Sequence, residues 1–415
     1  MNRGKGGYGY LALEAGQPIR ATDLSGNQDT ATRRLQYWLD APGVKPDGDF
    51  VDGAGGFEYG KTMKWDIGWY HDGTHPQTGR VLYAMAEHFF LTGDKEWFQK
   101  NRGRMQEAAD WIIRQRTAYL EGIPRREQLA VAGLQPPQIL GDMGLGMCAW
   151  RWFFIHDAFS LQGLRRFADA LAEFDPEAGR KYRVAAEAYA DDDPRIVEHL
   201  DVVEELLEHG KNKNVTGVTP ELFWTGFAGL VKYMCVDTTH LRRDDVPCFL
   251  RSWANNYAAW VTVEGGLPEP PSLLAYQGNP AGKPKSDLGS TGWFVASFRN
   301  LLVMEDGQSL WLARATPRAW LEQGKKISVK NAPTYFGTVA YEIVSDVDNA
   351  AINATIELPS RKAPNAVVLR FRHPTSAPIK AITVDGKPWT EFDAAKETIT
   401  LKGLSGTVAV QANYR

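Results

Sequence analysis

Hydrophobic residues recur along the chain with two different periods. Up to about residue 325 they return every three or four positions, which places them on one face of a helix; the clearest run is Leu82, Met85, Ala86 and Phe89. The pattern predicts about ten helices in this part of the chain. They are expected to form short hairpins, separated by longer loops that contain Gly and Trp.

Two turns indicate where such helices end and begin. Gly93 suits the position just past a helix end, because glycine takes a positive φ without strain, and Asp94 suits the N-cap of the next helix. Asp175 and Pro176 form a similar start, with Pro176 at the first helical position. These turns predict paired helices on either side of each connection.

From about residue 328 the apolar period becomes two, as in Val339 and Tyr341, which is the spacing of a strand with one buried face. The Asp-Gly pair at 385–386 is a two-residue hairpin signal. Many helices followed by many strands predict segregated layers and not a βαβ sheet. We expect a helical domain over residues 1–325, with an irregular N-terminal segment, and an antiparallel β-domain over residues 328–415.

Composition and charge exclude several classes of protein. The chain has 415 residues with 47 Lys and Arg against 50 Asp and Glu, a net charge of −3, so we expect no nucleic-acid partner, which would require a basic face. No apolar run reaches the ~18 residues of a membrane span, so no membrane partner is expected. Three Cys without CxxC spacing predict neither a disulfide framework nor a zinc site.

Sequence motifs exclude further classes and leave the compartment open. No GxGxxG, Walker A or GxSxG motif follows a predicted strand, so nucleotide-binding and serine-hydrolase functions have no support. The chain does not open on a signal peptide, so we expect a secreted or periplasmic protein if a leader has been removed and a cytoplasmic one otherwise.

The first segment with candidate chemistry precedes the helix that begins near residue 80. It carries Trp65, Asp66, Trp69, Tyr70 and His71 within seven residues of a glycine-bearing loop. Trp and Tyr offer flat apolar faces that suit stacking on a sugar ring, and a carboxylate beside them can be desolvated enough to act as a general acid. The alternative is that the Trp residues plug helix ends and that the acid is a helix cap.

The second segment leads into the amphipathic helix that contains Leu164 and Leu171, and it has a similar composition. Asp142 follows a Gly, and Trp150 and Trp152 lie on one side of the chain if the segment is extended. Arg151 can clamp a carboxylate, which would matter for a uronic-acid substrate. Asp157 is either a site acid or the N-cap of the helix that follows.

Glycoside hydrolysis requires two carboxyl groups on opposite walls of a wet cleft lined by aromatic residues. One protonates the leaving oxygen, and the other activates water or attacks the anomeric carbon. Asp66 and Asp142 are the leading pair, and Asp157 and Glu264 are the reserve candidates. Glu264 lies in a non-helical segment, where a solvated loop acid is the plain alternative.

Several segments resemble the six-hairpin (α/α) toroid glycosidases with a C-terminal β-domain. The hairpin RVLYAMAEHFFLTGDKEWFQKNRGRMQEAADW at 80–111 is similar to their paired helices. Residues 298–306, 310–313 and 316–321 are similar to their last helices, and 331–337 and 369–374 to their β-module. The resemblance implies a carbohydrate-active enzyme that uses acids in the mouth of the toroid and needs no cofactor.

The resemblance departs from the family pattern at the N-terminus. A closed ring needs twelve helices, whereas the pattern gives about ten, and residues 1–60 are poorly periodic. The expected fold is therefore mainly α with a β-domain: an (α/α)6-like toroid, incomplete or completed by a partner, followed by an antiparallel β-sandwich or sheet module. A homo-oligomer stays open for this reason.

Two other functions stay open beside hydrolysis of an oligo- or polysaccharide. A polysaccharide lyase would abstract a proton with Tyr or His and neutralise a uronate with Asn or Arg, a role open to Tyr70, His71, Arg151, Asn255, Asn256 and Tyr257. A non-catalytic glycan-binding protein would keep only the aromatic platform.

Overall fold

A computed structural model describes the chain over six ranges: 12–40, 77–118, 133–135, 154–192, 240–260 and 288–415. The chain divides into two compact units. The first comprises Met1–Arg20, Asp29–Phe89 and Asp94–His209, and the second Ala21–Gln28, Phe90–Gly93 and Gly210–Arg415.

Eight long helices lie within the described ranges. They are α1 (Ala12–Leu24), α2 (Gln28–Asp40), α3 (Gln77–Thr92), α4 (Lys95–Ala118), α5 (Phe154–Ala172), α6 (Pro176–Asp192), α7 (Val246–Trp260) and α8 (Leu288–Leu302). The predicted helical first part is thereby confirmed. No helix in the described ranges combines the length and the apolar character that a membrane span would need.

The two predicted turns have the expected geometry. Gly93 has a φ of 71°, and the backbone N–H of Trp97 donates to Asp94 Oδ1 at 2.9 Å, which caps α4. Pro176 is the first residue of α6. The Asp175 carboxylate accepts the N–H of Ala178 at 3.0 Å, so both helix starts follow from local sequence.

Helices α1, α3 and α5 run parallel to one another. Along α1 and α3, Gly16 lies beside Arg80, and four residues further on Arg20 Nε donates to Glu87 Oε2 at 3.1 Å. Along α3 and α5, Gly79 lies against Ser160, and Arg166 Nε donates to the other oxygen of Glu87 at 2.5 Å. Contacts that advance together along two helices mean that the helices point the same way.

Helices that are buried on nearly all sides occur beside helices that bury only one face. Between Thr78 and Leu91 every residue of α3 is buried except Tyr83 and Phe90, which are part-exposed. In contrast, α6 buries one stripe that consists of Gly179, Tyr182, Ala186 and Tyr189. A helix that is buried on all sides lies in the interior of a domain, and a helix with one buried stripe lies at its surface. Inner and outer helices of this kind alternate in an (α/α) toroid.

Eleven strands follow in the second unit and form two sheets. The five-stranded sheet has the order β1-β2-β6-β10-β9 and the six-stranded sheet β3-β4-β5-β11-β7-β8. The strands are β1 (Val303–Asp306), β2 (Ser309–Leu312), β3 (Lys326–Thr334), β4 (Gly337–Asp346), β5 (Ala351–Glu357), β6 (Ala366–Arg370), β7 (Ala381–Val384), β8 (Lys387–Trp389), β9 (Phe392–Asp393), β10 (Thr398–Leu401) and β11 (Thr407–Asn413). One apolar core joins strands of both sheets, with Leu310, Ile343, Ile356 and Leu369 fully buried.

The predicted β-domain is confirmed, with two differences of detail. Residues 303–312, which we expected to belong to the last helices, form the hairpin β1–β2. Strand β2 pairs with β6 in parallel, so that Trp311 lies opposite Val368, whereas the other described strand pairs are antiparallel. The Asp-Gly hairpin is as predicted: Asp385 and Gly386 both have positive φ between β7 and β8.

Helices α7 and α8 pack on the sheets within the second unit. Arg299, near the end of α8, donates both terminal nitrogens to the carboxylate of Glu305 on β1, and this ion pair is buried. The hydroxyl of Tyr341 donates to the carbonyl of Leu302 at 2.9 Å. The sheet therefore supports the end of α8.

Candidate functional site

Ten of the eleven candidate site residues lie outside the described residues. They are Trp65, Asp66, Trp69, Tyr70, His71, Asp142, Trp150, Arg151, Trp152 and Glu264. The side chains of Asn255, Asn256 and Tyr257, which the lyase alternative uses, also lie outside the described part. The candidate that the structure describes is Asp157.

Asp157 is buried at the start of α5, with 1% of its surface exposed. Its Oδ1 accepts the hydroxyl of Tyr189 at 2.6 Å and the backbone N–H of Gln135 at 2.7 Å. Helix α5 begins at Phe154, so Asp157 lies in the first helical turn and is not the N-cap of this helix. A carboxylate in the first turn is nevertheless favoured by the positive end of the helix dipole.

Tyr189, on α6, binds this carboxylate, and Arg116, on α4, packs on the ring of Tyr189. The guanidinium of Arg116 lies 4.1 Å from the ring centre of Tyr189, and its Nε donates to the carbonyl of Gly133. Burial, followed by the negative charge of Asp157, raises the pKa of Tyr189 well above its ordinary value. Tyr189 therefore stays protonated and acts as a hydrogen-bond donor.

Gln135 links the same cluster to α4. Its backbone N–H donates to Asp157, and its side-chain Nε2 donates to the carbonyl of Ile112 at 3.0 Å. The cluster thus ties α4, α5, α6 and the chain at 133–135 together by hydrogen bonds through buried groups. It is an arrangement that fixes the start of α5.

A backbone contact between two glycines sets the spacing of α3 and α5. A Cβ on Gly79 would lie 2.5 Å from the Cα of Ser160, and a Cβ on Gly163 would overlap the carbonyl oxygen of Gly79. Only residues without side chains permit such an approach. Because both helices point the same way, their first residues, Gln77 and Phe154, lie at the same end of the helix pair.

The glycine contact is close to both helix starts. At a rise of 1.5 Å per residue, Gln77 is ~3 Å and Phe154 ~9 Å along the helix axis from the contact at Gly79 and Ser160. The segment that carries the first group of candidate residues extends to residue 76, just before α3. The segment that carries the second group extends to residue 153, just before α5. The two candidate segments are therefore joined to neighbouring helix starts.

A buried charge cluster lies further along the same helices, and the sequence analysis missed it. Glu87 binds Arg20 and Arg166 through its two oxygens, and its side chain is 2% exposed. Burial, followed by the charge of Glu87, raises the pKa of nearby Tyr83. Arg80 and Glu87 are seven residues apart and therefore lie on one face of α3. Two charged residues on one face of a mainly apolar helix were the sequence pattern that could have predicted this cluster.

The solved structures to which this chain is similar include three glycoside hydrolases. A GH127 beta-L-arabinofuranosidase from Geobacillus stearothermophilus T6 is 11% identical with a TM-score of 0.41, over 99% of this chain and 73% of that one. An alpha-L-rhamnosidase from Dictyoglumus thermophilum is 10% identical with a TM-score of 0.44, over 95% of this chain and 46% of that one. A third protein, described as a glycoside hydrolase, is 12% identical with a TM-score of 0.37, over 97% and 72%.

No protein-family model and no curated protein sequence matches the chain. This chain spans just under half the length of the rhamnosidase. At these identities and TM-scores the likeness carries no argument about substrate or catalytic residues.

Proposed function

We propose that the protein is a glycoside hydrolase that cleaves a glycosidic bond in an oligo- or polysaccharide by carboxylate catalysis. The observation that carries the proposal is the parallel contact of α3 and α5 at Gly79 and Gly163. It supports a site at the starts of these two buried helices, because the segments at 65–71 and 142–152 lead directly into them.

In this proposal Asp66 and Asp142 are the acid and base pair. One carboxyl group, in its protonated form, gives its proton to the leaving oxygen while the bond to the anomeric carbon breaks. The other, ionised, activates a water molecule or attacks the anomeric carbon. A separation of ~6.5–9.5 Å between the two groups would mean inversion of configuration, and ~5–5.5 Å would mean retention.

The aromatic residues of the two segments form the proposed sugar platform. Trp65, Trp69, Trp150 and Trp152 offer apolar faces for the C–H surfaces of a sugar, and their indole N–H groups can bind hydroxyls. Tyr70, His71 and Arg151 supply further polar groups, and Arg151 would favour a substrate with a carboxylate.

Asp157 has a positioning role in this proposal, and Glu264 remains a reserve acid. The Asp157 carboxylate is buried and engaged by Tyr189 and Gln135, so it holds the start of α5 and with it the end of the second segment. Its displacement would be expected to move Trp152 and Asp142 through the chain that joins them to the helix.

The test is incubation of the full chain with a panel of neutral and uronic-acid polysaccharides. Reducing ends and the near-ultraviolet absorbance of unsaturated uronates are measured in parallel. We expect new reducing ends without absorbance, because hydrolysis leaves no double bond. Asp66→Asn and Asp142→Asn should each lower turnover by ~10²–10⁴-fold while the circular dichroism spectrum and glycan binding are retained.

Asp29→Asn is the matched control for these two variants. Asp29 is an exposed residue in the first turn of α2, so the same chemical change there should leave turnover within error of the unmodified chain. Full activity in Asp66→Asn and Asp142→Asn would contradict the assignment of the acids. Absorbance of unsaturated uronates would replace hydrolysis by lyase chemistry, and glycan binding without product would leave a binding protein.

A further inference from the structure

Three side chains of different chemistry converge at the start of α7. One ligand atom each from His240, Asp245 and Cys248 lies within 4.8 Å of the other two. His240 and Cys248 are buried, with 3% and 7% of their surface exposed, and Asp245 is partly exposed. Because the three belong to a short stretch of chain, their convergence depends on how that stretch turns.

Backbone hydrogen bonds define the turn. The N–H of Asp245 donates to the carbonyl of His240 at 2.8 Å, which follows the end of the helical residues 240–242 and brings the chain back towards the imidazole. Asp245 Oδ1 then accepts the N–H of Cys248 at 3.1 Å and caps α7. The thiol of Cys248 thereby lies in the first turn of a helix, next to the capping carboxylate.

The corner between the two helical turns is held from outside. Asp244 has a φ of 61°, a left-handed conformation that costs energy in a residue other than glycine. Arg370 Nη2 donates to both oxygens of the Asp244 carboxylate, at 2.7 and 3.0 Å. Arg370 Nη1 donates to the carbonyl of Arg314. A strained residue clamped by a buried Arg fixes the positions of His240 and Asp245 on either side of it.

The floor of the corner is apolar. Leu241, Val246 and Phe249 are buried in one cluster with Leu301 and Met304, which belong to α8 and β1. Leu241, between His240 and Asp245, and Val246, between Asp245 and Cys248, are therefore embedded in the second unit, so the convergence is not a chance meeting of surface groups.

We propose that His240, Asp245 and Cys248 bind a zinc ion. An imidazole nitrogen, a carboxylate oxygen and a thiolate are the three ligand types that zinc takes in proteins, and a thiolate with an imidazole disfavours the harder Mg²⁺ and Ca²⁺. The carboxylate has a second oxygen besides the one that caps α7. Binding would release the thiol proton of Cys248 to solvent.

The distances allow such an ion with little movement. With metal–ligand bonds of about 2.0–2.3 Å, two ligand atoms on a tetrahedral ion are ~3.3–3.8 Å apart. The three atoms, now within 4.8 Å of one another, would draw together by no more than about 1.5 Å. Three protein ligands leave a fourth position for water or a further group. The ion would fasten the start of α7 to the preceding turn, a role separate from the proposed hydrolysis.

Cobalt is the probe for this site, because Co²⁺ replaces zinc and reports a thiolate ligand by a near-ultraviolet charge-transfer band. The full chain, reduced and freed of metal by a chelator, is titrated with Co²⁺ and the cobalt is then displaced by Zn²⁺. We expect a thiolate band that saturates at one equivalent and disappears with zinc. Zinc should also raise the melting temperature of the metal-free chain, because the ion binds the folded form.

Four variants separate the metal site from the helix cap. Cys248→Ser should abolish the charge-transfer band, and His240→Gln should weaken cobalt binding by at least about tenfold. Asp245→Asn keeps a good N-cap but removes a carboxylate ligand. It should melt like the unmodified chain without metal, yet bind cobalt at least about tenfold more weakly. Cys235→Ser is the matched thiol control and should bind as the unmodified chain does.

Each contrary result overturns the proposal. A chain without a thiolate band has no thiolate ligand, and a band that survives Cys248→Ser or is lost in Cys235→Ser places the ligand elsewhere. Equal cobalt affinity in Asp245→Asn and the unmodified chain would show that the carboxylate acts only as a cap. None of these readouts involves glycan cleavage, so failure here leaves the proposed hydrolase unaffected.

Discussion

Tyr189 donates its hydroxyl to Asp157 inside the first unit, and both groups are buried. The variant Tyr189→Phe removes the donor and leaves a buried carboxylate with one partner fewer. We expect the free energy of unfolding to fall by ~1–3 kcal/mol, the usual cost of an unsatisfied buried polar group. Urea unfolding followed by circular dichroism measures the change.

Tyr182→Phe is the matched comparison for this prediction. Tyr182 lies on the same stripe of α6 and donates to Asp110 at 3.1 Å, but the side chain of Asp110 is 41% exposed and water can replace the lost donor. Its loss should cost less than that of Tyr189. Equal losses in the two variants would mean that burial of Asp157 does not decide the cost.

His373 makes the stability of the second unit depend on pH. Its Nδ1 faces the backbone N–H groups of Thr375 and Ala377 at 3.3 and 3.4 Å, so the folded chain favours the neutral imidazole. Burial lowers the pKa of His373 below its ordinary value; Glu397 opposes the shift and Arg318 adds to it. Between the lowered and the ordinary pKa the unfolded chain binds more protons than the folded one.

The free energy of unfolding should therefore fall as the pH drops through about 6.5, the ordinary value for His, towards the lowered pKa. Above that range His373 is neutral in both states and contributes no pH dependence. His373→Gln should flatten this part of the profile of melting temperature against pH. A variant profile parallel to that of the unmodified chain would refute the assignment.

At the scale of helices, the glycine contact of α3 and α5 predicts that Gly163→Ala is destabilising, the opposite of what helix propensity predicts. Alanine is favoured over glycine within a helix by ~1 kcal/mol, so propensity alone would make Gly163→Ala stabilising. The new Cβ would instead meet the carbonyl of Gly79. We expect a net loss of ~1–3 kcal/mol in the free energy of unfolding, typical of overpacking.

Gly103→Ala in α4 is the matched control, because a Cβ there meets nothing within 4 Å. It should raise the free energy of unfolding by up to ~1 kcal/mol. Urea unfolding of both variants under one set of conditions gives the comparison. A stabilised Gly163→Ala would mean that the two helices lie further apart than the described contact.

The ends of helices and strands were predictable where the residues at those ends themselves favour a turn or a cap. Gly93 with Asp94, Asp175 with Pro176, and the Asp-Gly pair at 385–386 each impose a backbone conformation through local residues, and each is found as predicted. The hairpin β1–β2 was not predicted. Its short apolar runs fit helix or strand equally, and the pairing of β2 with β6, more than fifty residues later, decides between them.

The candidate site shows the same limit. Composition alone singled out the aromatic and acidic segments, because their density of Trp and Asp does not depend on the fold. The cluster of Glu87 with Arg20 and Arg166 required the arrangement of three helices, and that of His240 with Cys248 required a left-handed corner at Asp244. Contacts between distant or sharply turned parts of the chain are absent from any local pattern.

Across the whole molecule, each of the two compact units carries its own stability prediction. Gly163 belongs to the first unit and His373 to the second. Calorimetry of the full chain should show a lower melting temperature for Gly163→Ala, and also for the unmodified chain at low pH. A melting temperature that neither change moves would contradict both assignments.

The contact at Gly79 and Gly163 also bears on how such a protein could change its specificity. The fit between α3 and α5 is made by two backbones, so it places no demand on the side chains before Gln77 or Phe154. Those segments can be exchanged for others, in evolution or by grafting, while the frame beneath them is retained. Both glycines should then be the residues that a designer leaves untouched.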